Sequence, residues 1–144
     1  MKQYLLDSNA AVDLLRNSSG PVAQKLLEVG LSACALCDLT LYELYYGAYC
    51  SEMTEKNLEG IERLKQWIEI IPSSESYIEA SRQKARLRKE GNLIEDFDLL
   101  IGCTAKVTGR ILVTDNVKHL GRIEGVEIEN WIGRKYSHGP NRPL

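Results

Sequence analysis

Residues 94–116, IEDFDLLIGCTAKVTGRILVTDN, decide how the chain reads. Asp96 and Asp98 stand where a helix would open, and Gly109 stands where it would close. Ile111-Leu112-Val113 is a short apolar run that stops at Thr114-Asp115-Asn116. A run this short, apolar at successive positions, suits a buried strand. A buried strand that ends abruptly in a carboxylate delivers that carboxylate to the edge of a sheet. The start of the chain repeats the device, where Tyr4-Leu5-Leu6 stops at Asp7-Ser8-Asn9.

Outward from these two stretches, strands and helices alternate. Residues 3–6 read as a strand, and Ser8 or Asn9 can cap a helix that turns Ala11, Val12, Leu14 and Leu15 inward. Pro21 opens a second helix that Gly30 ends. A strand is predicted over 31–36, a helix from Asp38 to about Cys50, and another over 57–67. Then come a short strand over 68–71, a long helix over 74–90 closed by Gly91, and a last strand over 126–128. No repeat or linker interrupts the pattern. It predicts one α/β domain over residues 1–132, with a central, mostly parallel β-sheet flanked by helices. Residues 133–144, GRKYSHGPNRPL, lack periodicity and predict a mobile tail.

Composition narrows the function classes. A chain of 144 residues has the size of one domain, and 44% hydrophobic residues suffice for a core. A net charge of −2 excludes a global polycation but not a local basic patch. No apolar run approaches the roughly 20 residues of a spanning helix, and the early first strand leaves no room for a signal peptide. The expected compartment is the cytoplasm, with reduced cysteines. Cys34-Ala-Leu-Cys37 is a CxxC, but no second pair accompanies it, and His119 and His138 are isolated. It reads as core packing rather than a zinc or redox site.

The acids carry the chemistry. In a parallel sheet the C-terminal ends of the strands share one edge, where ligands bind. Asp7 and Asp115 follow two such strands. Asp98 lies in the first turn of a helix that the Gly109 turn sends antiparallel to the next strand, so it can reach the same edge. Glu43 sits within Thr40-Leu-Tyr-Glu-Leu-Tyr-Tyr-Gly47, an apolar and aromatic surface. A glutamate there is costly to desolvate unless it is paired or binds a metal. Four converging carboxylates would raise one another's pKa, and a divalent cation removes that conflict. Oxygen ligands in this number suit Mg²⁺, with Mn²⁺ able to substitute, and such an ion serves displacement at phosphorus. Ser8, Thr114 and Asn116 add neutral hydrogen-bonding groups. Each acid also has a plainer reading. Asp7 can be a helix N-cap, Asp98 a favourable acid at a helix N-terminus, Asp115 part of a turn before a short helix, and Glu43 a surface residue. Asp96 is expected to cap its helix, which leaves Asp98 as the ligand.

At these residues the chain resembles the PIN-domain family, and within it the VapC-like toxins of toxin–antitoxin pairs. The matching pieces are Leu5–Asn9, Thr40–Gly47, Gly91–Ile94, Asp98–Ala105, Leu112–Asn116 and a closing segment through Trp131. Together they span about residues 1–132 in the family's order and spacing. The resemblance implies a Mg²⁺-dependent endoribonuclease. Asp7, Glu43 and Asp98 match the family's first three acids, and Asp115 matches the more variable fourth. Thr114 matches a hydroxyl often found beside that acid, and Ser8 stands where threonine is common. The resemblance also implies a small cognate antitoxin and a homodimer. The competing reading is a non-catalytic PIN-like module for RNA binding or assembly.

RNA requires cations as well as acids. The helix bearing Arg82, Lys84, Arg86, Arg88 and Lys89 is the first candidate for phosphate contacts, and Lys118 and His119 are the second. A solvated face is the ordinary reading of such a run. Leu41, Tyr42, Leu44, Tyr45, Tyr46 and Tyr49 span more of one helix than a core face needs. Either part of that surface receives a partner or all of it packs inward.

Overall fold

The computed structural model describes residues 1–133. The expected mobile tail therefore lies, from residue 134 onward, outside the described residues. Five short strands form the sheet: β1 (Tyr4–Leu6), β2 (Cys34–Cys37), β3 (Glu69–Ile71), β4 (Ile111–Val113) and β5 (Ile128–Glu129). Their order is β3-β2-β1-β4-β5, and every pairing is parallel. The expectation of a mostly parallel sheet is met by an entirely parallel one. Every residue of β1, β2 and β4 is buried, because helices cover both faces.

Alternation along the strands divides the core in two. Tyr4, Leu6, Cys34, Leu36, Ile111 and Val113 face helices α1 (Ser8–Arg16), α2 (Pro21–Val29), α3 (Asp38–Cys50) and α4 (Thr54–Trp67). Leu5, Ala35, Cys37 and Leu112 face α5 (Tyr77–Lys89) and α6 (Asp96–Val107). A short α7 (Val117–Leu120) follows β4. Cys34 and Cys37 sit three residues apart on a strand, hence on opposite faces, one in each core. Burial pushes both thiols up to about 11. Two inert thiols with the sheet between them neither bridge nor share a metal, so the packing reading of the CxxC stands.

Some boundaries move. Gly30, at φ +89°, opens a 3₁₀ turn over Leu31–Ala33, so β2 starts three residues later than predicted. A second 3₁₀ turn, Ser73–Ser76, precedes α5 and takes the start of the predicted helix. β5 begins two residues late, where Leu112 N donates to Glu127 O and Thr114 N to Glu129 O.

The turn after α6 aims the site. Gly109 adopts φ +69°, which lets its own N–H reach Lys106 O and the Arg110 N–H reach Ala105 O, at 3.2 and 2.8 Å. These are the paired bonds of a Schellman cap, a conformation that a side chain at residue 109 would strain. The reversal lays α6 antiparallel to β4. The N-terminus of α6 thereby returns to the edge where β1 and β4 end.

Candidate active site

β1 and β4 leave the sheet together, with Asp7 N bonded to Val113 O at 2.9 Å. Asp7 is extended (φ −73°, ψ 168°) while Ser8 is already helical, so Asp7 caps α1. Of the caps the sequence offers, Asp7 takes the role and Ser8 and Asn9 fall inside the helix. Asp7 Oδ1 accepts from Ser8 N at 2.8 Å, and Oδ2 accepts from the Thr114 hydroxyl at 2.8 Å. Capping does not exhaust this carboxylate, since each oxygen keeps a further lone pair. The residue is only 4% exposed. Burial pushes its pKa up, and the bonds from Thr114 and Ser8 pull it back.

Glu43 arrives from the second turn of α3. It accepts a hydrogen bond from the Ser8 hydroxyl at Oε1. Ser8 therefore serves two acids, Asp7 through its N–H and Glu43 through its O–H. Burial is the main force raising the Glu43 carboxyl; Ser8 lowers it, while Asp7 and Glu95 raise it further. Beside Glu43, the Tyr42 ring meets Phe97 edge-on with centroids 5.6 Å apart. Phe97 precedes Asp98, so this contact braces the acid-bearing turn of α3 against that of α6.

Asp98 is pushed up to about 7, first by burial and then by the charges of Asp7, Glu43 and Glu95. Three acids act on one carboxyl, and no basic group is among its perturbers. Asp7, Glu43 and Asp98, from three separate elements, are therefore brought together. Asp115 is half-buried at the exit of β4, where its backbone N–H meets Asn9 Oδ1 at 3.4 Å. Asn116 turns the chain into α7, with its N–H on Thr114 Oγ1 and its Oδ1 beside His119 Nδ1. The reading of Thr114–Asn116 as a turn before a short helix is correct, and Thr114 is still a direct partner of Asp7.

The structure corrects the assignment at the start of α6. Glu95, not Asp96, occupies the N-cap position, and its side chain makes no capping bond. Asp96 is the first helical residue, 61% exposed, and pairs with Lys84 at 2.7 Å. Spacing explains the division. Glu95 and Asp98 are three apart and share a helix face, whereas Asp96 and Asp98 are two apart and do not. That spacing was the available signal for Glu95, which sequence reasoning missed. Asp96→Asn is accordingly expected to change the nuclease activity that the resemblance implies less than about threefold, and stability by less than about 1 kcal/mol. Asp98→Asn is expected to lose most activity. Side-by-side cleavage assays decide it, and a larger loss in the Asp96 variant would reverse the assignment.

Asn9 also escaped the sequence reading, in which it was only a possible cap. Its Nδ2 donates to Thr114 Oγ1 at 3.2 Å, and its Oδ1 accepts from Asp115 N at 3.4 Å.

The expected cationic face is largely occupied. Arg82 grips Glu79 through two nitrogens, at 3.1 and 2.7 Å. Arg86 donates to Glu90, to Gln83 Oε1 and to the Arg122 carbonyl. With Lys106 bound to Glu79 at 2.6 Å, these contacts lock α5 against α6 and the segment before β5. Arg82 and Arg86 thus have structural work that competes with phosphate binding. Arg88, Lys89 and Lys118 are exposed, and Lys118 lies on α7 directly after the acid edge.

A hard divalent cation fits the chemistry of this donor set: oxygen-only ligands, mutual repulsion, and an Asp98 carboxyl poised near neutrality without a basic neighbour. Among the described residues, however, no three Asp, Glu, His or Cys side chains are already arranged around one point to hold an ion. Ser8 and Thr114 instead satisfy Glu43 and Asp7.

Residues 4–125 match the PIN domain profile. The chain belongs to the PIN domain family. A tRNA(fMet)-specific endonuclease VapC of Shigella flexneri is 29% identical over 132 residues, covering 91% of this PIN domain chain and 99% of the relative. Ribonuclease VapC2 of Haemophilus influenzae (strain ATCC 51907) is 29% identical over 133 residues, covering 92% and 100%. The crystal structure of DNA-bound VapBC from Salmonella typhimurium superposes with a TM-score of 0.83 at 27% identity, covering 91% of this chain and 99% of that one. VapBC2 of Rickettsia felis, bound to a promoter fragment, gives 0.80 at 27% identity, covering 89% and 98%. The all-parallel sheet with helices on both faces is therefore the PIN fold.

Proposed function

We propose that this PIN domain is a metal-dependent endoribonuclease and the toxin of a toxin–antitoxin pair. One observation carries the reading. Asp7, Glu43 and Asp98 are drawn from three elements to one sheet edge, where burial raises all three, the neighbouring acids raise Glu43 and Asp98 further, and no basic group neutralises them. A module that only bound RNA would gain a helix cap from Asp7 but nothing from setting two further acids beside it.

Asp7, Glu43 and Asp98 would hold Mg²⁺, or Mn²⁺ in its place, with Asp115 as an outer acid. When bound there, such an ion would supply Lewis acidity for a phosphoryl oxygen and for a water in an in-line displacement. The protein's own groups prepare for it. Ser8 keeps Glu43 and Asp7 in one arrangement, and Thr114 fixes the other oxygen of Asp7. Lys118, just past Asp115, and the exposed Lys89 and Arg88 are the cations available for RNA phosphates. Arg82 and Arg86 would reach phosphate only by leaving their acidic partners.

The partner is a small antitoxin, with a second copy of the chain as homodimer. Tyr42, Tyr46 and Tyr49 follow one another at helical spacing, all exposed, while Leu44 and Ala48 of the same helix are in the core. The aromatic surface of α3 is therefore not all core, and it is the face offered to a partner. Among the described residues no helix is long and apolar enough to cross a membrane. The chain acts in the cytoplasm, on RNA.

The chain, freed of antitoxin by denaturation and refolding, should cleave tRNA or total RNA in Mg²⁺. Activity should stop with excess EDTA and return with Mn²⁺. A refolded chain that cuts no RNA in either ion would remove the nuclease reading and leave the non-catalytic module.

A further inference from the structure

We propose that Asn9 is a positioning residue of the acid site, acting through the Thr114 hydroxyl and the backbone of Asp115. The inference rests on the cation-dependent reading above and adds a residue to it. Thr114 is wholly buried, so water does not complete its bonding. Its oxygen accepts from Asn9 Nδ2 at 3.2 Å and from Asn116 N at 3.1 Å. A hydroxyl has two acceptor lone pairs and one proton. With both lone pairs taken, the proton has one direction left, toward Asp7 Oδ2 at 2.8 Å. Asn9 therefore makes Thr114 a one-way donor to Asp7.

The other end of the same amide accepts from Asp115 N at 3.4 Å. The two assignments agree: the oxygen faces the N–H donor, and the nitrogen faces the hydroxyl. One side chain in the first turn of α1 thus ties the exit of β1 to the exit of β4. It does so at both the residue that orients Asp7 and the residue that bears the fourth acid. Partners of this kind hold ligands in place without touching the ion, and losing one typically costs about 10- to 100-fold in metal affinity.

The test uses the full chain freed of antitoxin, with Mn²⁺ binding measured by calorimetry. Asn9→Leu keeps the branched shape but removes both polar ends. Thr114→Val removes only the hydroxyl. Each is expected to weaken Mn²⁺ binding about tenfold with a native circular-dichroism spectrum and melting transition. The double variant is expected to be no more than about twofold weaker than either, because the two residues act in series. In cleavage, Asn9→Leu should lower kcat and leave KM for RNA unchanged. Independent penalties that multiply to about a hundredfold in the double variant would break the relay. So would Mn²⁺ affinity unchanged in Asn9→Leu. If that variant does not fold, Asn9→Ala reads the same loss with less bulk, and unchanged Mn²⁺ affinity there overturns the proposal equally. A parent chain that binds no Mn²⁺ would sink the cation reading and this proposal together, whereas binding by the parent and equal binding by the variant sinks this proposal alone.

Discussion

Asp7→Asn is expected to lower RNA cleavage by about a thousandfold, the equivalent of about 4 kcal/mol of transition-state stabilisation. It should leave the fold in place. The asparagine keeps an oxygen for Ser8 N but leaves the buried Thr114 hydroxyl without its acceptor, a cost of about 1–3 kcal/mol. Against that loss, it removes a buried charge whose ionised form burial disfavours. The two effects oppose each other, so the melting temperature should move little in either direction. The contrast between activity and stability is the informative result. Buried polar residues that serve only the fold lose stability when changed, whereas acids retained for catalysis often gain it. Cleavage within tenfold of the parent, in a variant with unchanged melting, would remove Asp7 from the chemistry.

The second expectation concerns pH and metal together. Asp98 has an unfolded pKa near 3.8 and a folded one of about 7. Between those values the folded chain binds a proton that the unfolded chain has released. Stability of the metal-free protein therefore falls as pH rises through that window and levels off above it. Asp7 and Glu43 are shifted in the same direction and add to the effect. Glu79, held down to about 2 chiefly by Arg82 and Lys106, acts in the opposite sense, but only at pH below about 4.5. Melting in EDTA should thus drop by several degrees between pH 5 and pH 8. Mn²⁺ should restore it, more at pH 8 than at pH 5, because the ion binds the ionised acids and replaces their protons. Asp98→Asn should flatten the metal-free slope. A melting temperature that rises from pH 5 to pH 8 in EDTA would contradict the acid cluster itself.

Much of this arrangement was legible along the chain. Short apolar runs at residues 4–6 and 111–113, each stopping at an aspartate, are local facts, because a strand buried on both faces has no polar position to spare. Helix punctuation by Pro21, Gly91 and Gly109 is local too, since it rests on backbone geometry that each residue carries with it. From these came the α/β class and the parallel sheet. So did the shared edge of Asp7 and Asp115 and the return of Asp98 to that edge. The packing reading of the CxxC rests on the missing second pair and the isolated histidines, and the structure adds that β2 sends Cys34 and Cys37 to opposite faces.

What the chain order hid was partnership. Asp96 looks like the cap of its helix until Lys84, twelve residues before it, claims its carboxylate. The basic run on α5 looks like a free surface until Glu79, Gln83, Glu90 and the 122–124 segment occupy Arg82 and Arg86. Asn9 looks like a spare cap until Thr114, 105 residues away, is found beside it. Sequence by itself determined which residues are acids, which runs are buried strands and where the chain reverses, because hydrophobicity, capping and φ preferences act over a few residues. Only the tertiary structure decided which acids face one another, which cations remain free and which neutral side chains orient Asp7. Hydrogen bonds and Coulomb forces act over a few ångströms of space, whatever the distance along the chain.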